Sequence, residues 1–406
     1  MSRFSAWAPE DVGERLERER VTFYCGIDAT ADSLHVGQLV GIMAVRRLQQ
    51  AGHRPIVLVG GGTTLVGDPS GKDAERPLLP EAQIEANAAA IGAQLERFLD
   101  FGPDGAVLLN NADWLGPLSL MAFLRDVGKH VTVNVMMGKE SVRTRLAGRE
   151  QGISYTEFSY MLLQAYDFLH LFGEHGCRMQ VGGSDQWGNI TLGIDLIRRV
   201  QGEEAYGAAW PLLTKADGSK FGKSESGTVW LAPEKTSPYE FFQFWLNTAD
   251  ADVGDYLALL TELPEQEITG LVAAPPEERA AQRQLAWDLT SRVHGEAAAE
   301  AARRASTALF SGDPTTLSES EILSLFADAP SSEGRLGEDT VVGLFSDAFE
   351  AGSKSAAART AKQGGAYVNN RQEKDLDRPV LEQDLLAGRY LLLRKGKKRY
   401  HLVRFA

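Results

Sequence analysis

Short apolar runs that end in glycine clusters govern what this chain can fold into. In "RPIVLVGGGTTLVGDPSGKD" the run Ile56 to Val59 is too short for a buried helix and is bounded by glycines, so it reads as a buried strand of a parallel sheet. Strand, helix and strand recur through "GAVLLNNADWL" and "CRMQVGGSDQWGNITLGIDLIRR", which is the alternation of an α/β fold. Residues 1–215 are therefore expected to form a doubly wound parallel-sheet domain with ligands at the carboxyl ends of its strands, where the glycines fall. A polar loop segment, 216–235, follows. From 236 the sequence turns helix-rich, as in "SPYEFFQFWLNTADADVGDYLALL", so an α-helical domain is expected over 236–325. Residues 326–339, rich in Pro, Gly, Ser and charge, read as a linker. Residues 340–406 read as a small α+β domain: a helix, a glycine turn and a strand in "SKSAAARTAKQGGAYVNN", then a hairpin around "KGKK".

Composition narrows the function classes. A chain of 406 residues is long enough for more than one core. With 43% hydrophobic and 24% charged residues, and no run near the roughly eighteen apolar residues of a membrane helix, no membrane span is expected. The N-terminus lacks an apolar signal core, so a cytoplasmic location is expected. Cys25 and Cys177 lie far apart without metal-ligand spacing, which argues against both a disulfide framework and a protein-bound structural metal. A net charge of −13 at first opposes a nucleic-acid partner, but its distribution reverses that. From Ser353 to Ala406 there are 13 Lys and Arg against 5 Asp and Glu, a basic tail on an acidic body.

Several segments carry chemistry. In "SLHVGQLVGIM", Asp32 or Ser33 is expected to cap a helix starting near Leu34; His35 and Gly37 then occupy its first turn, where exposed N–H groups favour a phosphate and a missing Cβ lets a base approach. The same residues also fit a surface histidine beside a packing glycine. "KFGKS" presents Lys220 and Lys223 around a glycine in a polar loop, suited to placing point charges on a polyphosphate, or equally a solvated turn. "GDPSGKD" misses the phosphate-loop spacing by one residue and is rejected as such. Its Asp68 suits a substrate ammonium, with Lys72 and Arg76 in reach of a leaving phosphate. In "SYTEFSYMLLQAYDFLHLF" the apolar stripe Phe158, Met161, Leu162, Ala165, Leu169 and Phe172 leaves Tyr160, Gln164 and Asp167 on the opposite face, either solvated or lining a cleft. After the strand in "CRMQVGGSDQWGNI", Ser184 and Asp185 are expected helix caps, and Asp185 alternatively a ribose ligand.

Taken together, "YCGIDATADSLHVGQ", "GDPSGK", "YTEFSYMLLQAYDF", "QVGGSDQWGNI" and "LLTKADGSKFGKSESGTVWL" resemble, in order and over almost the whole chain, the bacterial-type tyrosyl-tRNA synthetases of class I. "HVGQ" aligns with the class signature HIGH and "KFGKS" with KMSKS. The resemblance implies a Rossmann-like catalytic domain and an S4-like RNA-binding domain at the C-terminus. It implies adenylation of tyrosine by ATP with release of pyrophosphate, then transfer to the 3′ end of tRNA(Tyr). Carried over by position, Tyr24 and Asp167 bind the tyrosine hydroxyl, Asp68, Tyr160 and Gln164 its ammonium, and Gln180 and Gln186 shape the pocket. Cys25, Gly26, Asp28, Gly37, Gln38, Gly183, Asp185 and Leu212 would contact the nucleotide. Thr30, His35, Lys72, Arg76, Lys220 and Lys223 would stabilise the reacting phosphate, with Mg²⁺ carried on ATP. Lys354, Arg359, Lys362, Lys395, Lys397 and Lys398 would meet RNA phosphates, and a homodimer is expected. Gln38 departs from the signature histidine; its amide still donates but carries no charge. Competing readings are a tryptophan-specific enzyme of the same class and an RNA-binding factor on the same scaffold that has lost activity.

Overall fold

The structure, a computed structural model, describes residues 4–70, 79–147, 152–214, 221–224, 227–311, 314–326, 329–350, 352–396 and 399–405. The chain divides into two compact units, one of 1–235 with 249–281, the other of 236–248 with 282–406. The helix-rich stretch is thus shared between units and is not a separate domain of its own. The first unit takes in the helices Asp250–Leu260 and Glu265–Ala273, and Arg47 ties back the C-terminal end of the former through bonds to the carbonyls of Ala258, Leu259 and Thr261.

In the first unit, strands β1 (Ala6–Ala8), β2 (Thr22–Ile27), β3 (Arg54–Val59), β4 (Val107–Asn110), β5 (Met179–Gly183) and β6 (Tyr206–Trp210) form one sheet in the order β1-β6-β5-β2-β3-β4. All pairings are parallel except β1 on β6. The run at Ile56 is the strand expected of it: Ile56, Val57, Leu58 and Val59 are each 2% exposed, as a strand covered on both faces must be. A short hairpin of β7 (Lys223–Ser224) and β8 (Gly227–Thr228) follows.

The helix Tyr155–His175 begins with a reciprocal cap, Ser154 Oγ accepting from the Glu157 N–H at 3.2 Å while Glu157 accepts from the Ser154 N–H, and it ends at Gly176 with φ +62°. Its stripe packs as the spacing predicts. Met161, Ala165, Leu169 and Phe172 join Leu192, Leu196 and Ile197 of the helix Trp187–Gln201 in the core beneath the sheet. Glu157 is also half of a buried ion pair, taking Arg145 Nη1 at 2.8 Å and Nη2 at 2.9 Å, with the side chains 4% and 6% exposed.

The second unit contains a sheet of β9 (Ser331–Gly334), β10 (Ala366–Val368), β11 (Arg371–Gln372), β12 (Tyr390–Lys395) and β13 (Arg399–Phe405), ordered β11-β10-β12-β13-β9. The β12–β13 hairpin is the one expected around "KGKK", and the helix Lys354–Lys362 precedes β10 as read. The linker expected at 326–339 is a correction: its Ser331–Gly334 pairs in parallel with β13, because the free edge of that strand offers backbone partners that polar residues satisfy as well as apolar ones.

Arg145→Met should cost about 3–5 kcal/mol in urea unfolding, since it leaves a buried carboxylate unpaired. Adding Glu157→Gln, which keeps the helix cap while removing the charge, should restore at least half. Equal losses in the single and double variants would show that the pair does not set this stability.

Candidate active site

The strand order reverses between β2 and β5, and a cavity of about 730 Å³ opens at that point, lined by carboxyl-end residues of both strands. Every candidate substrate residue lines it. Lys72, Arg76 and Lys220 lie outside the described residues, as does the side chain of Lys223, whose backbone belongs to β7.

At the buried end Asp167, 2% exposed, takes Asn111 Nδ2 at 2.9 Å and Trp114 Nε1 at 2.8 Å, one donor to each carboxylate oxygen. Burial pushes its pKa up to about 7, against the pull of those donors, and the charge of Asp28 adds to the rise. Beside it Tyr24, 1% exposed, has a hydroxyl with no hydrogen-bond partner among the described residues, and burial raises its pKa well above the ordinary value. Gln180 Oε1 is likewise buried without a partner among the described residues. Orphaned polar atoms of this kind cost stability unless something else bonds them.

Polar contacts form the middle of the cavity. Gln186 Nε2 donates to Asp68 at 2.8 Å, and Asp68 also takes the Ser70 N–H at 2.9 Å. Gln164 donates to Gln186 at 3.2 Å and accepts from Asn189 at 2.9 Å, while Tyr160 Oη lies 3.4 Å from both oxygens of Asp28. The face bearing Tyr160, Gln164 and Asp167 therefore lines a cleft and is not a solvated surface. Cys25, 8% exposed, has its thiol pushed up to about 12 by burial, which makes it an inert lining group.

At the open end His35 corrects the expected cap. Ser33 Oγ accepts from Gln94 and from the Ala232 N–H, and Asp32 pairs with Lys235, so neither is available to the helix. His35 Nδ1 takes the Gly37 N–H at 3.1 Å instead, and Gln38 Oε1 takes the His35 N–H at 2.9 Å, ahead of the helix Leu39–Gln50. With Nδ1 accepting, a neutral ring carries its proton on Nε2. A Cβ on Gly37 would sit 2.9 Å from this ring, so packing as well as ligand access demands glycine. A Cβ at Gly26 would meet nothing within 4 Å, whereas one at Gly183 would come 3.0 Å from Leu212. Thr30, Asp185 and Leu212 are exposed at the mouth, and Ser184 and Asp185 do not cap the helix that follows.

Asn111 and Trp114 were not among the candidates. The signal that marks them is position: "NNADWL" begins at the carboxyl end of β4, where a doubly wound sheet places ligand-facing residues. In the second unit Lys354, Arg359 and Lys362 are exposed on one short helix. Lys395 is engaged with Glu350 at 2.7 Å, and Lys397 and Lys398 lie outside the described residues.

Residues 16–311 match the family described as tRNA synthetases class I (W and Y), and residues 321–403 match the Tyrosine--tRNA ligase SYY-like C-terminal domain. The tyrosine--tRNA ligase of Roseiflexus castenholzii is 53% identical over 411 residues, 97% of this chain and 95% of that protein. That of Bacillus caldotenax is 54% identical over 397 residues, covering 96% and 94%. Among solved structures, a C-terminally truncated mitochondrial tyrosyl-tRNA synthetase of Aspergillus nidulans aligns with a TM-score of 0.65 at 31% identity, over 72% of this chain and 87% of that one.

Trp114→Phe removes one donor from Asp167 and should raise its pKa further, making the charged form more costly. The stability lost relative to wild type should therefore be larger at pH 9 than at pH 5 in urea unfolding. A loss of the same size at both would show that the indole does not support the carboxylate.

Proposed function

The chain belongs to the tyrosine branch of the class I aminoacyl-tRNA synthetases, which activates tyrosine with ATP and charges tRNA with it, and from that premise we propose how its residues divide the work. The observation that carries the proposal is the buried end of the cavity, where a Tyr24 hydroxyl with no partner among the described residues stands beside an Asp167 carboxylate held by donors on both oxygens. A phenol placed there donates to Asp167 and accepts from Tyr24, satisfying both; a benzyl side chain satisfies neither. An indole N–H could donate to the carboxylate but offers the Tyr24 hydroxyl no acceptor, which favours tyrosine over tryptophan.

The ammonium of the bound amino acid lies against Asp68, Tyr160 and Gln164, with Gln180 and Gln186 completing the pocket. Its carboxylate then points toward the open end. Attack of that carboxylate on the α-phosphorus of ATP, with pyrophosphate leaving, needs no enzyme nucleophile, so catalysis is positioning and stabilisation of developing charge. The His35 Nε2–H and Thr30 hydroxyl donate to the phosphates, joined by Lys72, Arg76, Lys220 and Lys223, while Mg²⁺ arrives on ATP as part of the substrate. Cys25, Gly26, Asp28, Gly37, Gln38, Gly183, Asp185 and Leu212 surround the nucleoside. Gln38, whose oxygen already accepts from His35, has its amide N–H₂ left to donate.

In this reading the enzyme works in the cytoplasm, and residues 340–406 contact tRNA through Lys354, Arg359 and Lys362. It also works as a homodimer. Leu120, Met121, Val133, Met137 and Tyr155, all within residues 120–155 of the first unit, are between 48% and 75% exposed, apolar side chains that a second copy would cover. Met121→Glu should convert the species seen in sedimentation equilibrium to monomer; an unchanged mass would place the interface elsewhere.

Asp167 gains a proton as the pH falls through about 7, and a protonated carboxyl loses the charge that favours the phenol's hydrogen bond. Tyrosine affinity measured without ATP should therefore weaken about tenfold per pH unit below that value. Asp167→Asn should bind weakly with no such slope; a wild-type affinity flat from pH 5 to pH 8 would remove Asp167 from the hydroxyl site.

A further inference from the structure

The segment that follows the "KFGKS" loop is joined point by point to the segment that carries His35. Val36 N–H donates to Val229 at 3.0 Å, Leu231 N–H to Leu34 at 2.8 Å and Ala232 N–H to Ser33 Oγ at 3.1 Å, while His35 and Trp230 face each other across a backbone bridge. Beyond these, Lys235 forms an ion pair with Asp32. The Trp230 ring lies 6.0 Å from the His35 ring at 76°, an edge-to-face arrangement, and carries the Lys235 ammonium 4.9 Å from its centroid. Trp230 does not line the cavity.

We propose that Trp230 is a positioning residue for adenylate formation: it fixes the plane of the His35 imidazole, so that Nε2 faces the nucleotide, and Lys235 with Asp32 holds Trp230 in place. The reason lies in what fixes an imidazole. His35 Nδ1 is anchored to the Gly37 N–H, which sets one edge of the ring, and the edge-to-face indole of Trp230 bears on the plane in which that ring lies. The indole supplies a second constraint from outside the cavity. Small errors in the direction of a donor cost rate steeply, since the bond must meet charge at the position it occupies in the transition state. The inference rests on the proposed role of His35.

The experiment is tyrosine-dependent ATP–pyrophosphate exchange, with tyrosine affinity measured separately without ATP, in His35→Ala, Trp230→Leu, Trp230→Phe and the double variant His35→Ala/Trp230→Leu. Trp230→Leu should lower the exchange rate on the order of tenfold with tyrosine affinity unchanged, and Trp230→Phe should recover most of it. On top of His35→Ala, Trp230→Leu should cost less than about twofold, because the residue it positions is gone. Lys235→Met, at an exposed position, is the second variant should Trp230→Leu not fold, and its few-fold loss should likewise vanish without His35. An equal cost with and without His35, a matching loss of tyrosine affinity, or undiminished exchange in Lys235→Met would each overturn the inference. Should His35→Ala alone cost nothing, the role given to His35 falls first.

Discussion

Parallel pairing of β2 on one side with β3 and on the other with β5 is what the remaining structure depends on. Chain leaving β2 crosses to one side of the sheet and chain entering β5 arrives from the other, so the connections diverge at the carboxyl ends where these strands meet. The cleft lies at that divergence. Its floor is main chain and short side chains, Cys25 and Gly26 from β2 and Gly182 and Gly183 from β5, because a ligand lying across strand ends needs the backbone within reach.

The two ends of the cleft are unlike in solvation, and each half of the chemistry needs the solvation it has. Asp167 and Tyr24 are withdrawn from water among core side chains such as Phe168, whose ring lies 5.3 Å from that of Tyr24. There a polar group left without a partner is costly, and recognition of a single hydroxyl becomes selective for that reason. His35, Thr30 and Asp185 stand at the open mouth, where a large polyanion enters and pyrophosphate must leave. Glycine shapes the lysine loop beside the mouth as well: a Cβ on Gly222 would lie in ordinary contact, 3.5 Å from the Gly37 nitrogen, so the loop backbone packs against the signature turn, and the φ of +95° at Gly222 is what requires glycine there.

Much of this was legible in the sequence because it was encoded locally. Residues 56–59 announced a covered strand by length and glycine flanks, and the polar triad of the Tyr155–His175 helix followed from helical period alone. Other features depended on partners distant in sequence. Asp32 and Ser33 are good capping residues by type, yet their side chains are taken by Lys235, Ala232 and Gln94, and the cap passed to His35. Ser331–Gly334 has linker composition and becomes a strand only because β13 presents an open edge. Asn111 and Trp114 act on Asp167 across more than fifty residues of sequence, a relation no spacing pattern contains.

A dry carboxylate, and a phenol with no partner among the described residues, select a hydroxyl-bearing amino acid. The direct measurement is pyrophosphate exchange driven by tyrosine and by phenylalanine in wild type and in Asp167→Ala. The wild type should respond strongly to tyrosine and barely to phenylalanine, and Asp167→Ala should lose the tyrosine response so far that the two amino acids become nearly equal. Retention of the full preference for tyrosine in a folded Asp167→Ala protein would contradict it.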